Sequence, residues 1–190
     1  MCIRDRKKSV LLLFFAGCVA TGIFGIGRKI PMNRVNDLGQ REGYWRDSLG
    51  EGITYELYYK GGKKDGLFKC FSRNDLFVLG EYTADNISGT WYVFGDEGEL
   101  VSIHNSIEFS KDSIYTGYPC CRIFYKYKCY RIDYYPSGAV KSEGYMVCDE
   151  DFMVDFWEIG EWKYYDESGN LIKTEAVSYT HLTLPTKLEV

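Results

Sequence analysis

Apolar and polar residues alternate with a period of two along much of the chain that follows the first thirty residues. In residues 160–171, GEWKYYDESGNL, Trp162 and Tyr164 fall on one side of an extended strand, and the residues between and after them fall on the other. The polar segment DESGN then interrupts the alternation, and Gly169 stands where a hairpin loop commonly requires a positive φ. The pattern predicts a β-hairpin.

The same arrangement recurs along the chain. Residues 89–100, GTWYVFGDEGEL, repeat the glycine at the first position, the tryptophan two residues later, the glycine nine later and the leucine eleven later. Units starting at Gly43, Gly66 and Gly89 are spaced by 23 residues, and a further unit starts at Cys129 without the leading glycine. The repeated positions that we predict to shape the core are Gly43, Trp45, Gly66, Phe68, Gly89, Trp91, Gly98, Gly138, Gly160, Trp162 and Gly169.

These units predict an all-β fold over residues 30–176, in which about five β-hairpins form one antiparallel meander, a single-sheet solenoid. An isolated hairpin is only marginally stable in water, so each unit must pack on the next. We expect the rings at the second position of each unit to line one side of the sheet. We expect the glycine at the first position to let a neighbouring backbone or ring approach closely. Inserts near residues 106–128 and at residues 148–159 break the spacing.

Three segments carry the pattern most fully: YYKGGKKDGLFKCF at residues 58–71, GEYTADNISGTWYVFGDEGEL at 80–100, and GEWKYYDESGNLIKTE at 160–175. They resemble the bacterial MORN-type repeat, and in particular the proteins often labelled YwqK-family antitoxin. The resemblance covers roughly residues 39–105 and 129–175. It implies a repeat scaffold used for contact with a protein or a membrane surface, with no catalytic residues shared across the family.

A long apolar run near the amino end predicts a signal peptide or membrane anchor. Residues 7–29, KKSVLLLFFAGCVATGIFGIGRK, place two lysines before this run, and an N-terminal apolar helix is expected there. Three interpretations stay open: a lipoprotein acylated at Cys18, an uncleaved anchor that crosses the membrane with residues 9–26, and a cleaved signal. Each places the following domain in the cell envelope, on the periplasmic or extracellular side of a bacterial membrane.

Both ends of the chain have the character of translated sequencing adapters. MCIRDR at residues 1–6 and VSYTHLTLPTKLEV at residues 177–190 are expected to be artefacts, and no role is assigned to them. The rest of the composition fits a β-rich domain, since 17% of the residues are aromatic and glycine is frequent. A net charge of −4 without a basic stripe argues against nucleic acid as a partner.

The sequence predicts neither an enzyme nor a cofactor. His104 is the one histidine outside the terminal segments, and no Ser-His-Asp or Cys-His arrangement can be assembled around it. The acidic segments DESG, GDEG and CDED do not follow the calcium-loop pattern, so we interpret them as solvated turns. No metal site is predicted.

The cysteines of the predicted domain leave two interpretations open. Their spacing does not match a tetrahedral metal site. In an oxidising compartment, Cys120 or Cys121 could form a disulfide with Cys129 and close the insert. The alternative is a set of buried, reduced thiols.

Two functional hypotheses follow from this sequence. The first is a membrane-tethered, non-enzymatic repeat scaffold that binds an unknown protein partner through one face of its sheet. The alternative is a cell-surface glycan-binding module that uses exposed aromatic rings. Trp157 is the candidate contact residue, because it lies in an apolar insert outside the regular spacing, although it could instead cap the end of the sheet.

Overall fold

The computed structural model describes residues 31–110, 113–115, 122–149 and 156–177, and these residues are all-β. The apolar helix expected within residues 7–29, together with Cys18, lies outside the described residues, as do residues 1–6 and 178–190. In the part of the chain that the structure describes, no helix is both long and apolar enough to cross a membrane.

Eleven of the strands form one antiparallel sheet, and their order in the sheet follows their order in the chain. This confirms the predicted single-sheet meander. The eleven strands are β1 (Arg34–Val35), β2 (Arg41–Gly50), β3 (Ile53–Lys60), β4 (Lys63–Ser72), β5 (Asp75–Thr83), β6 (Asn86–Phe94), β7 (Leu100–Phe109), β10 (Tyr127–Tyr134), β11 (Val140–Cys148), β12 (Phe156–Tyr165) and β13 (Leu171–Val177).

A separate two-stranded sheet lies between β7 and β10 in the chain. Its strands are β8 (Ser113–Tyr115) and β9 (Arg122–Phe124), and both fall inside the insert predicted near residues 106–128. The main sheet nevertheless enters that stretch from both sides, because β7 continues to Phe109 and β10 begins at Tyr127, and these two residues are cross-strand partners.

Two kinds of turn connect most of the neighbouring strands. Residues 51–52, 61–62, 73–74 and 84–85 form two-residue turns in which both residues have positive φ, the geometry of type I′ turns, whose twist matches that of the flanking strands. Residues 36–40, 95–99, 135–139 and 166–170 form five-residue loops that share one hydrogen-bond pattern. In each loop the first N–H donates to the fifth carbonyl, and the fourth N–H, always from a glycine, donates to the first carbonyl.

The glycines of the five-residue loops have the backbone conformation that the sequence pattern requires. Gly98, Gly138 and Gly169 occupy the fourth position with φ values of 78°, 84° and 84°. Gly39 holds the same position in the first loop with φ of 73°, although its unit lies ahead of the repeats identified from the sequence. The same turn chemistry therefore closes four hairpins along the sheet.

One side of the sheet, termed the core face, carries the aromatic rings of the repeat. Trp91 and Trp162 are only 1% and 0% exposed, and Trp45 and Phe68 are partly buried against the same cluster. Neighbouring rings meet at angles that favour aromatic pairs: the ring centroids of Tyr82 and Trp91 lie 5.2 Å apart in a T-shaped arrangement. The main core cluster is thus a row of side chains on one face, and a smaller buried cluster of Tyr125 and Val147, with Ile159 packed against it, is separate from it.

The glycines at the first position of the units supply a left-handed backbone, and the close approach expected there occurs at Gly66, where an added Cβ would lie 3.1 Å from Cβ of Tyr58. Gly66, Gly89 and Gly160 have positive φ values of 129°, 67° and 69°, and each lies where the strand register shifts. These are β-bulges, for which glycine supplies the left-handed backbone. An added Cβ would contact nothing within 4 Å at Gly43 or Gly160, so at those two positions no ring or backbone approaches.

Two other glycines accept the tryptophan rings. A Cβ on Gly80 would lie less than 3.0 Å from the Trp91 ring, and a Cβ on Gly144 would overlap the Trp162 ring in the same way. Gly80 lies on β5, next to the strand of Trp91, and Gly144 lies on β11, next to the strand of Trp162. Each indole therefore covers a glycine of the preceding strand.

Candidate interaction surface

The side of the sheet opposite the core face is rich in tyrosine, and we term it the tyrosine face. Strand alternation places it there: Tyr58 lies between two buried residues of β3, and Tyr145 lies between two buried residues of β11. Cross-strand pairing brings these tyrosines together in twos, Tyr44 with Tyr58 and Tyr130 with Tyr145. Tyr58 and Tyr145 are 49% and 44% exposed.

Glu143 organises one cluster of tyrosines on this face. The hydroxyl of Tyr165 donates to Oε1 of Glu143 over 2.7 Å. Burial, together with the charge and a hydrogen bond of Glu143, raises the pKa of Tyr130 to about 12. The ring of Tyr130 meets that of Tyr145 in a T-shaped contact with centroids 5.0 Å apart. The carboxylate and the ring contact thus hold three tyrosines of neighbouring strands in fixed positions.

Glu56 organises a second cluster nearer the amino-terminal end of the sheet. Burial and a hydrogen bond to Glu56 raise the pKa of Tyr44 to about 12. Lys69 Nζ lies 3.6 Å from Oε2 of Glu56. Beside this group is a shallow depression of about 290 Å³, lined by Tyr44, Glu56, Tyr58, Asp65, Gly66, Leu67 and Lys69. Both clusters combine partly exposed rings with a fixed carboxylate.

Two of the four tryptophans are unavailable for binding. The indole N–H of Trp91 donates to the carbonyl of Ser88 over 3.0 Å, and that of Trp162 donates to the carbonyl of Tyr145 over 2.9 Å. Both rings are fully buried in the core face, so ligand stacking on them is excluded. The sequence pattern found these core positions.

The other two tryptophans are closer to solvent. Trp45 is partly buried, its indole N–H lies 3.1 Å from the carbonyl of Arg34, and the Arg41 guanidinium lies 4.4 Å from its ring centroid. Trp157, the candidate contact residue, is 36% exposed and pairs with Val147 across β11 and β12. Its alternation with Phe156 of the core places Trp157 on the tyrosine face.

The tyrosines were missed as a group at the level of sequence. The repeat pattern follows the rings at the second position of each unit, which lie on the core face. The residues of the tyrosine face occupy the alternate positions of the same strands. Tyr165, for example, directly follows Tyr164 of the core face. These alternating tyrosines can be recognised in the sequence, but which of them meet across strands depends on the strand register.

A buried polar network crosses the core face between the two tryptophans. Ser102 Oγ lies 3.0 Å from Nε2 of His104, and both residues are buried. Asp133 accepts a hydrogen bond from Arg131 Nε over 2.7 Å and another from Ser142 Oγ over 2.8 Å. Burial, and then the positive charge of Arg131, lower the pKa of His104 to about 3.

This network contains a serine, a histidine and an aspartate, the residue types of a hydrolase triad, but they are not arranged as a triad. Asp133, the carboxylate that could orient the imidazole, is held by Arg131 and Ser142 instead. Ser102 is 2% exposed, so a substrate carbonyl could not reach its hydroxyl without opening the sheet face. The hydrogen bonds of this arrangement provide partners for the buried side chains of Ser102 and Ser142 and for the carboxylate of Asp133.

A wider depression lies beside the loop at residues 95–99, with a volume of about 620 Å³. Its apolar wall includes Phe77 and Pro136, and its rim carries carboxylates from that loop, including Glu97 and Glu99. Within the described residues, no group of three or more His, Cys, Asp and Glu side chains is arranged to hold a metal ion. The acidic turns remain interpreted as solvated.

Among the described residues, Cys70, Cys129 and Cys148 are not joined to one another by disulfides. Cys129 and Cys148 are buried, and Cys70 is partly buried. Cys120 and Cys121 lie outside the described residues, so their pairing with Cys129 stays a prediction.

Comparison with known proteins gives no relative for this chain. No protein-family model matches it, and neither the curated proteins nor the solved structures contain a match. The likeness to MORN-type repeats therefore stays a resemblance based on the residues themselves.

Proposed function

We propose that this protein is an exported, membrane-tethered and non-enzymatic repeat scaffold that binds a protein partner through its tyrosine face. The observation that carries the proposal is that the two faces differ in the exposure of their aromatic rings. The core face buries its rings and needs no partner to cover Trp91 or Trp162. The tyrosine face keeps Tyr58 and Tyr145 about half exposed among charged residues.

The chemistry of this face suits a protein more than a small molecule. Tyrosine offers a large apolar area with a hydroxyl and only two side-chain torsions, so it loses little entropy on binding, and it is enriched in protein interfaces. The depression beside Tyr58, at about 290 Å³, is at the small end of small-molecule sites. Glu143 and Glu56 fix rings in place before any partner arrives.

Site-specific photocrosslinking tests the proposal on the full chain in the cells that make it. A photoreactive phenylalanine analogue replaces Tyr58 or Tyr145 in turn, with Leu38 and Leu49 as exposed control positions. We expect both tyrosine positions to capture the same protein and the controls to capture none. The capture at Tyr145 should also be lost when Tyr58 is changed to serine. Equal capture at the controls, or none at either tyrosine, would contradict the proposal.

A glycan-binding module is the second candidate, favoured by the exposed Tyr58 ring beside the carboxylates of Glu56 and Asp65. Rings stack on sugar faces, and carboxylates accept sugar hydroxyls. Pull-down on immobilised envelope polysaccharides distinguishes the candidates: retention abolished by Tyr58→Ala but not by Leu38→Ser supports the glycan, and no retention argues against it.

The tether would be either residues 9–26 or a lipid on Cys18. Metabolic labelling with a fatty-acid analogue decides between them, because Cys18→Ser removes the label only if the chain is a lipoprotein.

A further inference from the structure

Strand β13 forms one edge of the main sheet in the described residues, and its burial differs from that of the inner strands. Leu171 and Ile172 are 56% and 63% exposed, and the next four residues are exposed as well. The strand pairs with β12 on one side. An edge strand offers a row of backbone N–H and C=O groups to a further strand, and proteins usually manage such an edge by covering, pairing or charging it.

The sequence of this edge is complementary to itself. Residues 172–176, Ile-Lys-Thr-Glu-Ala, read as apolar, positive, polar, negative, apolar around Thr174. If two copies of β13 pair antiparallel about a two-fold axis at Thr174, Lys173 of each copy stands opposite Glu175 of the other. Opposite charges directly across a strand pair are stabilising.

The faces of the sheet also match in this pairing. Lys173 stands opposite Tyr164 and Glu175 opposite Trp162, so both charges lie on the core-face side of β13. Ile172 alternates with them and would stand opposite Ala176 of the other copy on the tyrosine-face side. The two-fold axis of an antiparallel pair is perpendicular to the sheet, so this isologous contact keeps core face beside core face.

The two neighbouring registers are disfavoured. A two-fold axis at residue 173 puts lysine opposite lysine, and one at residue 175 puts glutamate opposite glutamate, which is destabilising. A two-fold axis placed between two neighbouring residues would pair residues of the core face with residues of the tyrosine face. The pleat of the strands does not allow this pairing. Only the register centred on Thr174 satisfies both charge and face.

We propose that β13 pairs with β13 of a second copy of this chain, so that the two eleven-stranded sheets join at this edge as a symmetric dimer. Lys173 Nζ and Glu175 Oε2 lie 2.6 Å apart within one strand, and their side chains are 55% and 52% exposed. Both groups are therefore at the surface, and pairing redirects each of them to its counterpart across the two-fold axis. Backbone hydrogen bonds along the strand supply the affinity, and the charge pattern supplies the register.

Charge reversal tests this dimer with the full chain in detergent, by light scattering after size exclusion. Lys173→Glu places glutamate opposite glutamate, and Glu175→Lys places lysine opposite lysine, so each variant alone should be monomeric. An equal mixture of the two should form a heterodimer, and the double variant K173E/E175K should again form a homodimer. Lys60→Glu on the distant strand β3 is the matched control and should leave the dimer unchanged.

The mixing experiment distinguishes pairing at this edge from two different arrangements. A contact made only within one strand cannot be rescued by a second chain. A dimer formed through the apolar leader would be insensitive to all of these charges. A monomeric unaltered chain, a dimer indifferent to Lys173→Glu, or a mixture that stays monomeric would each overturn the proposal.

Cysteine cross-linking tests the register independently of the charges. Thr174→Cys should form a disulfide with itself, because the two-fold axis brings both copies of residue 174 within the Cα distance that a disulfide needs. Ile172→Cys alone should not, but a mixture of Ile172→Cys with Ala176→Cys should. The unaltered chain serves as the blank for its natural cysteines. Self-linking at 172 in preference to 174 would overturn the register. None of these outcomes depends on a partner at the tyrosine face.

Discussion

At the scale of single residues, buried polar groups on the core face decide how the fold responds to acid. His104 is neutral in the fold because burial and the nearby Arg131 guanidinium both oppose its protonation. Ser102 is within hydrogen-bond distance of Nε2, and the carboxylate of Asp133 is paired with Arg131. The negative charge of this network is therefore already balanced by a cation.

Acid should therefore destabilise the fold through His104. The pKa of this side chain is about 3 in the fold against an ordinary 6.5, so the unfolded chain takes up a proton first as the pH falls. The stability associated with neutral His104 is complete above pH 6.5 and is lost between 6.5 and 3. The linkage slope is about 1.4 kcal/mol per pH unit. Urea unfolding at pH 7.5 and pH 5 should show a loss of about 2 kcal/mol.

His104→Gln is the control for this titration. Glutamine keeps a polar group beside Ser102 but does not titrate in this range, so the variant should be less stable at pH 7 and should lose less on acidification. An equal loss in the variant and the unaltered chain would assign the pH dependence to other groups.

At the scale of strands, adjacent elements are fitted together by a ring that lies on a glycine. Trp91 of β6 covers Gly80 of β5, and Trp162 of β12 covers Gly144 of β11. The strands β3 and β4 are fitted together differently, because Phe68 is the cross-strand partner of Leu57 and not of a glycine on β3. Phe68, whose ring is smaller than an indole, thus has a leucine rather than a glycine as its neighbour on the preceding strand.

Gly80→Ala should accordingly destabilise the fold more than an alanine at a turn glycine. The new methyl group would overlap the Trp91 ring, and overpacking of this kind costs about 1–3 kcal/mol. Trp91→Phe in the same chain should recover part of that loss, since it recreates the Phe68 arrangement. The measurement is a double-mutant cycle of unfolding free energies by chemical denaturation.

Gly98→Ala is the matched control for the cycle. Its Cβ would contact nothing within 4 Å, so its cost of about 1 kcal/mol comes from the positive φ alone and should not change with Trp91→Phe. Strict additivity between Gly80→Ala and Trp91→Phe would mean that the ring does not rest on this glycine.

At the scale of the whole sheet, the sequence predicted what is local and missed what depends on register. The meander followed from alternation and from a 23-residue spacing, both of which are set within single hairpins. The ring-accepting glycines have no fixed offset: Gly80 lies eleven residues before Trp91, whereas Gly144 lies eighteen residues before Trp162, because the connections between their strands differ in length. No single periodic pattern could include both.

The bulge at Ser106 and the tyrosine cluster at Glu143 could not be predicted from the sequence for the same reason. Ser106 has a positive φ of 53° at the register shift between β7 and β10, so a bulge occurs there without the glycine that marks the others. The Glu143 cluster joins side chains of three strands, and Tyr165 lies 22 residues from its carboxylate partner. Such contacts become visible only when the strands are placed in register.

The linear order of the sheet sets how far a local defect should spread. Each strand of the main sheet hydrogen-bonds only with its neighbours in the order, so stability is approximately a sum over neighbouring strands. Trp162→Ala opens a cavity between β11 and β12, and such truncations cost about 3–5 kcal/mol. We expect amide exchange to accelerate strongly from β10 to β13 and little from β2 to β5.

Trp91→Ala is the comparison variant for the spread of amide exchange expected in Trp162→Ala. Trp91 lies near the middle of the sheet, where its ring contacts Phe68 and Tyr82 on the preceding strands and His104 stands opposite it on the following strand. Its truncation should therefore accelerate exchange on both sides of β6, unlike the one-sided effect of Trp162→Ala. If both variants accelerated exchange equally in every strand, the sheet would unfold as a single cooperative unit. Neighbour-to-neighbour packing would then not be what limits its stability.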